Sequence, residues 1–129
     1  MALLELTTAL ALAMYLWTSF RVGMARGRLG IEAPATTGHP EFERLFRVHQ
    51  NTLEQLIVFL PALWMFGTLV SEPIAAGLGA FFIVGRILYA ITYAADASKR
   101  TTGFLIAYVA TVVLLLGSLV GAVATVFST

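Results

Sequence analysis

With 129 residues, 59% of them hydrophobic and only 12% charged, and a mean hydropathy of +0.88, the chain lies outside the range of soluble domains. A net charge of +1 without any basic stripe excludes nucleic acid as a partner, and the absence of cysteine excludes disulfides, thiolate metal sites and a cysteine nucleophile. What remains is an integral, multi-pass membrane protein: one all-α domain over residues 1–129, with room for four crossings of about 20 residues each and no expected metal site.

The first span is predicted from about Leu3 to Val22, apolar except for Glu5 and scattered Thr and Ser that a helix satisfies through its own carbonyls. It has no positive n-region, which argues against a cleaved signal peptide. The Gly, Pro and Thr of "RVGMARGRLGIEAPATTGHP" then read as a polar loop. Helix two is expected to start near Pro40, where proline suits the first turn and Glu41 and Glu43 favour the positive helix end, and to run to about Val70. At about 31 residues it spans roughly 46 Å against a hydrocarbon core of about 30 Å, so its first turns lie outside the core. Arg47 then sits near the interface and Glu54 roughly 10 Å deeper. Pro61 is expected to bend the helix. "SEP" at 71–73 turns the chain into helix three, which ends near Ala95. "DASKRTTG" at 96–103 connects to helix four, over Phe104 to Phe127.

Charge sets the expected orientation. All eight basic residues (Arg21, Arg26, Arg28, Arg44, Arg47, Arg86, Lys99 and Arg100) fall in or near the first and third connections. Those connections should therefore be cytoplasmic and both ends non-cytoplasmic, which an even number of spans satisfies. Brevity and Ala/Gly richness point to a bacterial inner membrane.

Helical phase groups the polar residues into two stripes. Arg47, Asn51 and Glu54 follow i, i+4, i+7, with Arg44 three residues before. Arg86, Tyr89 and Tyr93 repeat i, i+3, i+7, and Arg100 continues the line if helix three runs past Ala95. Helix two descends from the basic side and helix three ends there, so both stripes share one leaflet. Simpler roles exist for each part: Tyr89 and Tyr93 as interfacial aromatics, Arg86 and Glu54 as an ion pair inside the bundle, His49 solvated at the surface. Tyr15, Trp17 and Trp64 are assigned to packing or lipid contact. The sum weighs toward a polar pocket, because each ionised side chain in the bilayer costs about 2.5–3.5 kcal/mol and is tolerated mainly in a bundle interior or polar cavity.

"PEFERLFRVHQNTLEQLIVFLPALW", followed by "GRILYAITYAADASKR", resembles the family of membrane-associated proteins in eicosanoid and glutathione metabolism. The resemblance extends from Arg26 to the fourth helix. The pattern E-R-x-x-R-x-x-x-N-x-x-E is its most specific part, and Arg-x-x-Tyr-x-x-x-Tyr strengthens it. It implies a four-helix protomer, a homotrimer, and glutathione bound between neighbouring protomers in the cytoplasmic leaflet. By the same resemblance Arg47, Asn51, Glu54, Tyr89 and Tyr93 hold glutathione, Arg26 lies near the tripeptide, and Arg100 activates the thiol, with Tyr93 a second donor to the sulfur. His49, where synthase-like members have glutamine, joins the expected binding set. Gln55 in place of tyrosine, and Gly27 in place of a second arginine beside Arg28, alter that shell.

The implied activity is a glutathione transferase acting on hydrophobic electrophiles from the bilayer, with lipid hydroperoxide reduction beside it. The alternative is a non-catalytic lipid-binding or scaffold protein of the same family. Signs match the first reading, since glutathione carries two carboxylates and one ammonium, to be met by several arginines and one glutamate. A transporter is disfavoured by the lack of an inverted repeat and of a broken helix pair.

Overall fold

The computed structural model describes residues 1–128. Four long helices, α1 (Ala2–Leu29), α2 (Pro40–Leu69), α3 (Glu72–Ala95) and α4 (Thr101–Phe127), are joined by short connections, with a single 3-10 turn at Ala97–Lys99. Each is long and apolar enough to cross a membrane. The central pair is α2 and α3, and α1 and α4 each pack against both.

The first helix runs a full two turns beyond the predicted end at Val22. Gly23 and Gly27 read as loop residues in sequence, yet glycine only weakens a helix and does not end one. The stop comes at Gly30, which takes the left-handed conformation (φ 69°) while Ile31 N–H donates to the Arg26 carbonyl at 3.0 Å. Arg26 and Arg28 therefore stand on a helix. The connection is clamped at both ends: Arg28 grips Glu41 through two bonds of 3.0 and 2.9 Å, and Arg26 donates to the Ala35 carbonyl at 2.7 Å. His39 caps α2 by accepting from Glu41 N–H. The helix continues unbroken through Pro61 to Leu69.

Ser71 caps α3, accepting from Ile74 N–H, and Glu72 reaches back to accept from the backbone N–H groups of Leu3 and Leu4. One carboxylate thus serves the otherwise unpaired first turn of α1. At the other end of α3, Asp96 is extended and accepts from Ser98 N–H and Oγ–H, which folds the turn into α4. Arg100 stands at the N-cap of α4, so the fourth helix starts three residues earlier than expected.

Lipid supplies no hydrophobic drive between helices, so fit and polar contacts hold them together. Phe59 and Phe82, both fully buried, stack at 3.8 Å between α2 and α3. Trp64 Nε1 donates to Thr8 Oγ1 at 2.8 Å, tying α2 to α1, and Ser118 Oγ donates to the Ala62 carbonyl at 3.1 Å, tying α4 to α2. The closest approach is α3 against α4. A Cβ on Gly103 would lie 2.7 Å from the Gly85 carbonyl oxygen and 2.8 Å from Tyr89 Cα, so only glycine permits this contact. Large apolar side chains cover the outside, as a lipid-facing surface requires.

Candidate functional site

On the face where α2, the end of α3 and the start of α4 meet, a cleft of about 590 Å³ opens. From α2 come Glu43, Arg47, Gln50, Asn51 and Glu54, all within one helical face. Tyr89 and Tyr93 descend from α3, while Arg100, Thr101, Phe104 and Leu105 enter from α4. Both predicted stripes thus reach one space, though Arg100 gets there by a route the sequence did not suggest. Helix three stops at Ala95, and the Asp96 turn carries Arg100 back over the tyrosines instead.

The geometry of the wall is set by packing. Tyr89 and Tyr93, 4% and 6% exposed, stack on each other with centroids 5.4 Å apart, and Phe104 tilts against Tyr89 at 6.2 Å. The Gly85–Gly103 contact fixes α4 at the level of Tyr89, which is what delivers Arg100 and Thr101 to the cleft. Glu43, Arg47, Gln50 and Glu54 are exposed on the free face of α2. Arg47, Glu54 and Arg100 form no ion pair within the chain among the described residues. The ion pair between Arg86 and Glu54, the simpler role open to those two charges, is not formed.

Arg86 is instead fully buried in the bundle. Its Nη2 donates to Thr52 Oγ1 at 2.8 Å and its guanidinium lies 4.3 Å over the Tyr89 ring. Its Nε and Nη1, together with Asn51 Oδ1, are the buried side-chain polar atoms without a partner among the described residues, and all flank this wall. Arg44 also leaves its stripe, donating to the Ala94 carbonyl at 2.9 Å and tying α2 to the end of α3.

Two of the sequence candidates lie outside the cleft. His49 faces α1, stacked on Tyr15 at 4.8 Å, with Nε2 3.3 Å from the Tyr15 hydroxyl and Nδ1 3.2 Å from Thr18 Oγ1. Arg26 covers the Phe42 ring at 4.9 Å and braces the first connection. Residues that sequence reading passed over also line the cleft: Gln50, detectable at i+3 from Arg47, Thr101, hidden by placing the helix start too late, and Phe104. Leu105 belongs to two spaces at once, the cleft and an apolar groove of about 420 Å³ that runs between α3 and α4 along Leu78, Phe81 and Val109.

The model of the MAPEG family matches residues 4–120. The chain belongs to the MAPEG family. Among MAPEG-type relatives, human microsomal glutathione S-transferase 2 is 40% identical over 102 residues, covering 79% of this chain and 69% of its own. Mouse leukotriene C4 synthase is 37% identical over 101 residues, covering 78% and 67%. An uncharacterised protein of Synechocystis is 48% identical over 114 residues, covering 88% and 83%. This MAPEG chain is accordingly a multi-pass membrane protein folded as a four-helix bundle.

Proposed function

We propose that the chain is a membrane-bound glutathione transferase that joins the glutathione thiolate to hydrophobic electrophiles and also reduces lipid hydroperoxides. The observation that carries this reading is the unpaired set of opposite charges on one cleft: Arg47 and Arg100 for the two carboxylates and the thiolate of the tripeptide, Glu54 for its ammonium. Asn51, Tyr89 and Tyr93 add amide and hydroxyl partners for its peptide groups. That the most informative relatives are named as a glutathione transferase and a leukotriene synthase supports the same reading.

The chemistry follows from position. A free thiol is only about 3% thiolate at pH 7, and the thiolate is the nucleophile. Arg100 stands at the N-cap of α4, so its guanidinium and the positive end of the helix both act on a sulfur held beside Thr101. A downward shift of about 1.5 units makes roughly half of the thiol reactive. In conjugation the thiolate forms a carbon–sulfur bond and the leaving group departs with the bonding pair. In peroxide reduction it attacks the terminal oxygen, the O–O bond breaks to release an alcohol, and a second glutathione takes the sulfenic acid to the disulfide with loss of water. Tyr93 is the hydroxyl donor to the sulfur.

The working unit in this reading is a homotrimer with sites between protomers. The free face of α2 is polar at Arg47, Gln50 and Glu54 and apolar beyond, with Ile57 67% exposed. Facing lipid, each of those charges costs about 2.5–3.5 kcal/mol, whereas a neighbour's surface covers them. A ring of head-to-tail contacts sets the α1 side of one copy, bearing Arg26 and His49, against the cleft of the next. The first and third connections face the cytoplasm, as their basic residues direct, in a bacterial inner membrane. Calorimetry of the detergent-purified protein tests the core of this: glutathione should bind with measurable heat, and its absence would leave the non-catalytic lipid-binding role.

A further inference from the structure

A second crevice, of about 450 Å³, lies between α1, the start of α2 and the end of α3, and shares no lining residue with the cleft. We propose that it holds an anionic glycerophospholipid, with the phosphate on Arg21 and an acyl chain along Phe20, Met24 and Ile91.

Depth comes first. Arg21 lies about 29 Å along α1 from Ala2 at 1.5 Å per residue, close to the hydrocarbon thickness of about 30 Å. With the first turn of α1 at one boundary, Arg21 is at the other, where lipid phosphates reside. Trp17, one turn deeper, carries the guanidinium 4.8 Å above its ring, an interfacial arrangement for both side chains.

Charge comes second. Three ionised residues line the crevice: Arg21, Arg28 and Glu41. Arg28 and Glu41 satisfy each other through their paired bonds. Arg21 has no carboxylate partner among the described residues, where its one hydrogen bond runs from Nη1 to the Ala90 carbonyl at 3.1 Å. A guanidinium has five N–H donors in a fork that suits phosphate oxygens, so most remain for a ligand. Basic pockets between transmembrane helices on the cytoplasmic side bind anionic headgroups in this way. A zwitterionic headgroup gains less, because the one carboxylate that could meet a choline is already engaged by Arg28.

Shape comes third. Phe20, Met24 and Ile91 are 65%, 60% and 53% exposed and edge the same crevice. They offer a track for a chain beside the charge, which distinguishes this site from one for a free anion. The inference does not depend on the glutathione reading.

The test is native mass spectrometry of the full chain from mixed micelles holding equal phosphatidylglycerol and phosphatidylcholine of matched chains. Wild-type protein should retain phosphatidylglycerol at least fivefold over phosphatidylcholine, and Arg21→Gln should erase that preference while Arg21→Lys restores part of it. Ile91→Trp, which keeps the charge and fills the track, should also lose the lipid. Glutathione binding should not change in any of the three variants. Equal retention of the two lipids, full retention by Arg21→Gln, or displacement by millimolar glycerol phosphate as readily as by lipid would each overturn it.

Discussion

Arg100 and Glu54 carry the sharpest expectations at the level of single residues. Arg100→Ala should leave the glutathione dissociation constant nearly unchanged but lower turnover with a chlorinated nitroaromatic acceptor about 15-fold at pH 7, the ratio of about half to about 3% thiolate. The sign is fixed: losing the cation raises the bound thiol's pKa, so the rising limb of the pH–rate profile moves to higher pH. An unmoved limb removes Arg100 from thiol activation. Glu54→Gln should weaken glutathione binding about tenfold, equivalent to about 1.4 kcal/mol, as read by calorimetry. Glu54 was legible because the i, i+4, i+7 spacing of Arg47, Asn51 and Glu54 defines one face of one helix, whereas Arg100 reaches the cleft through the Asp96 turn. Arg86 was not, since its phase matched the tyrosines while its side chain went inward to Thr52. Spacing says which residues share a helix face; it does not say whether that face meets a cleft or a core. His49 and Arg26 show the same limit: His49 packs against α1 and Arg26, on α1, braces the first connection, both outside the cleft of their own chain.

At the scale of elements, the turn between α3 and α4 decides where the fourth helix delivers its first residues. Gly103→Ala should destabilise the bundle by about 1–3 kcal/mol, the usual range for overpacking, because the three nearest atoms it meets are all backbone and none can swing aside. Thermal unfolding in detergent measures this, and turnover should fall together with stability. Asp96, in the connection, has its carboxyl held below the usual carboxylate range by the bonds it accepts from Ser98. A depressed folded-state pKa contributes stability that is present above the unfolded value and lost as pH falls through the folded one. The turn should therefore loosen only on strong acidification. Asp96→Ala should lower turnover more than glutathione affinity, with Asp96→Asn, which keeps the acceptor oxygen, close to wild type. The second and third helices could be bounded from sequence almost to the residue, since Pro40 and Ser71 are strong local signals. The end of α1 and the start of α4 could not, because Gly23, Gly27 and Gly103 look like loop residues; α1 simply tolerates the first two, and only Gly103 has a neighbouring helix packed against it.

For the whole molecule, the free face of α2 makes assembly testable. Native mass spectrometry in mild detergent should find three copies, and Ile57→Arg, a charge on the apolar half of that face, should dissociate them and weaken glutathione binding in parallel. Single copies with undiminished affinity would place the entire site within one chain. The hydropathy of the sequence announced the four-span plan, but the rotational setting of each helix, and hence the existence of two separate crevices, emerges only from how side chains interlock.

Leu105 stands at the junction of the polar cleft and an apolar groove open to lipid. In the proposed transferase reaction, an oily reactant using that doorway would not need to dissolve in water, and the rate would follow its mole fraction in the bilayer rather than its total amount. Adding inert lipid at constant protein and acceptor should then slow the reaction by simple two-dimensional dilution, while the dependence on glutathione stays fixed.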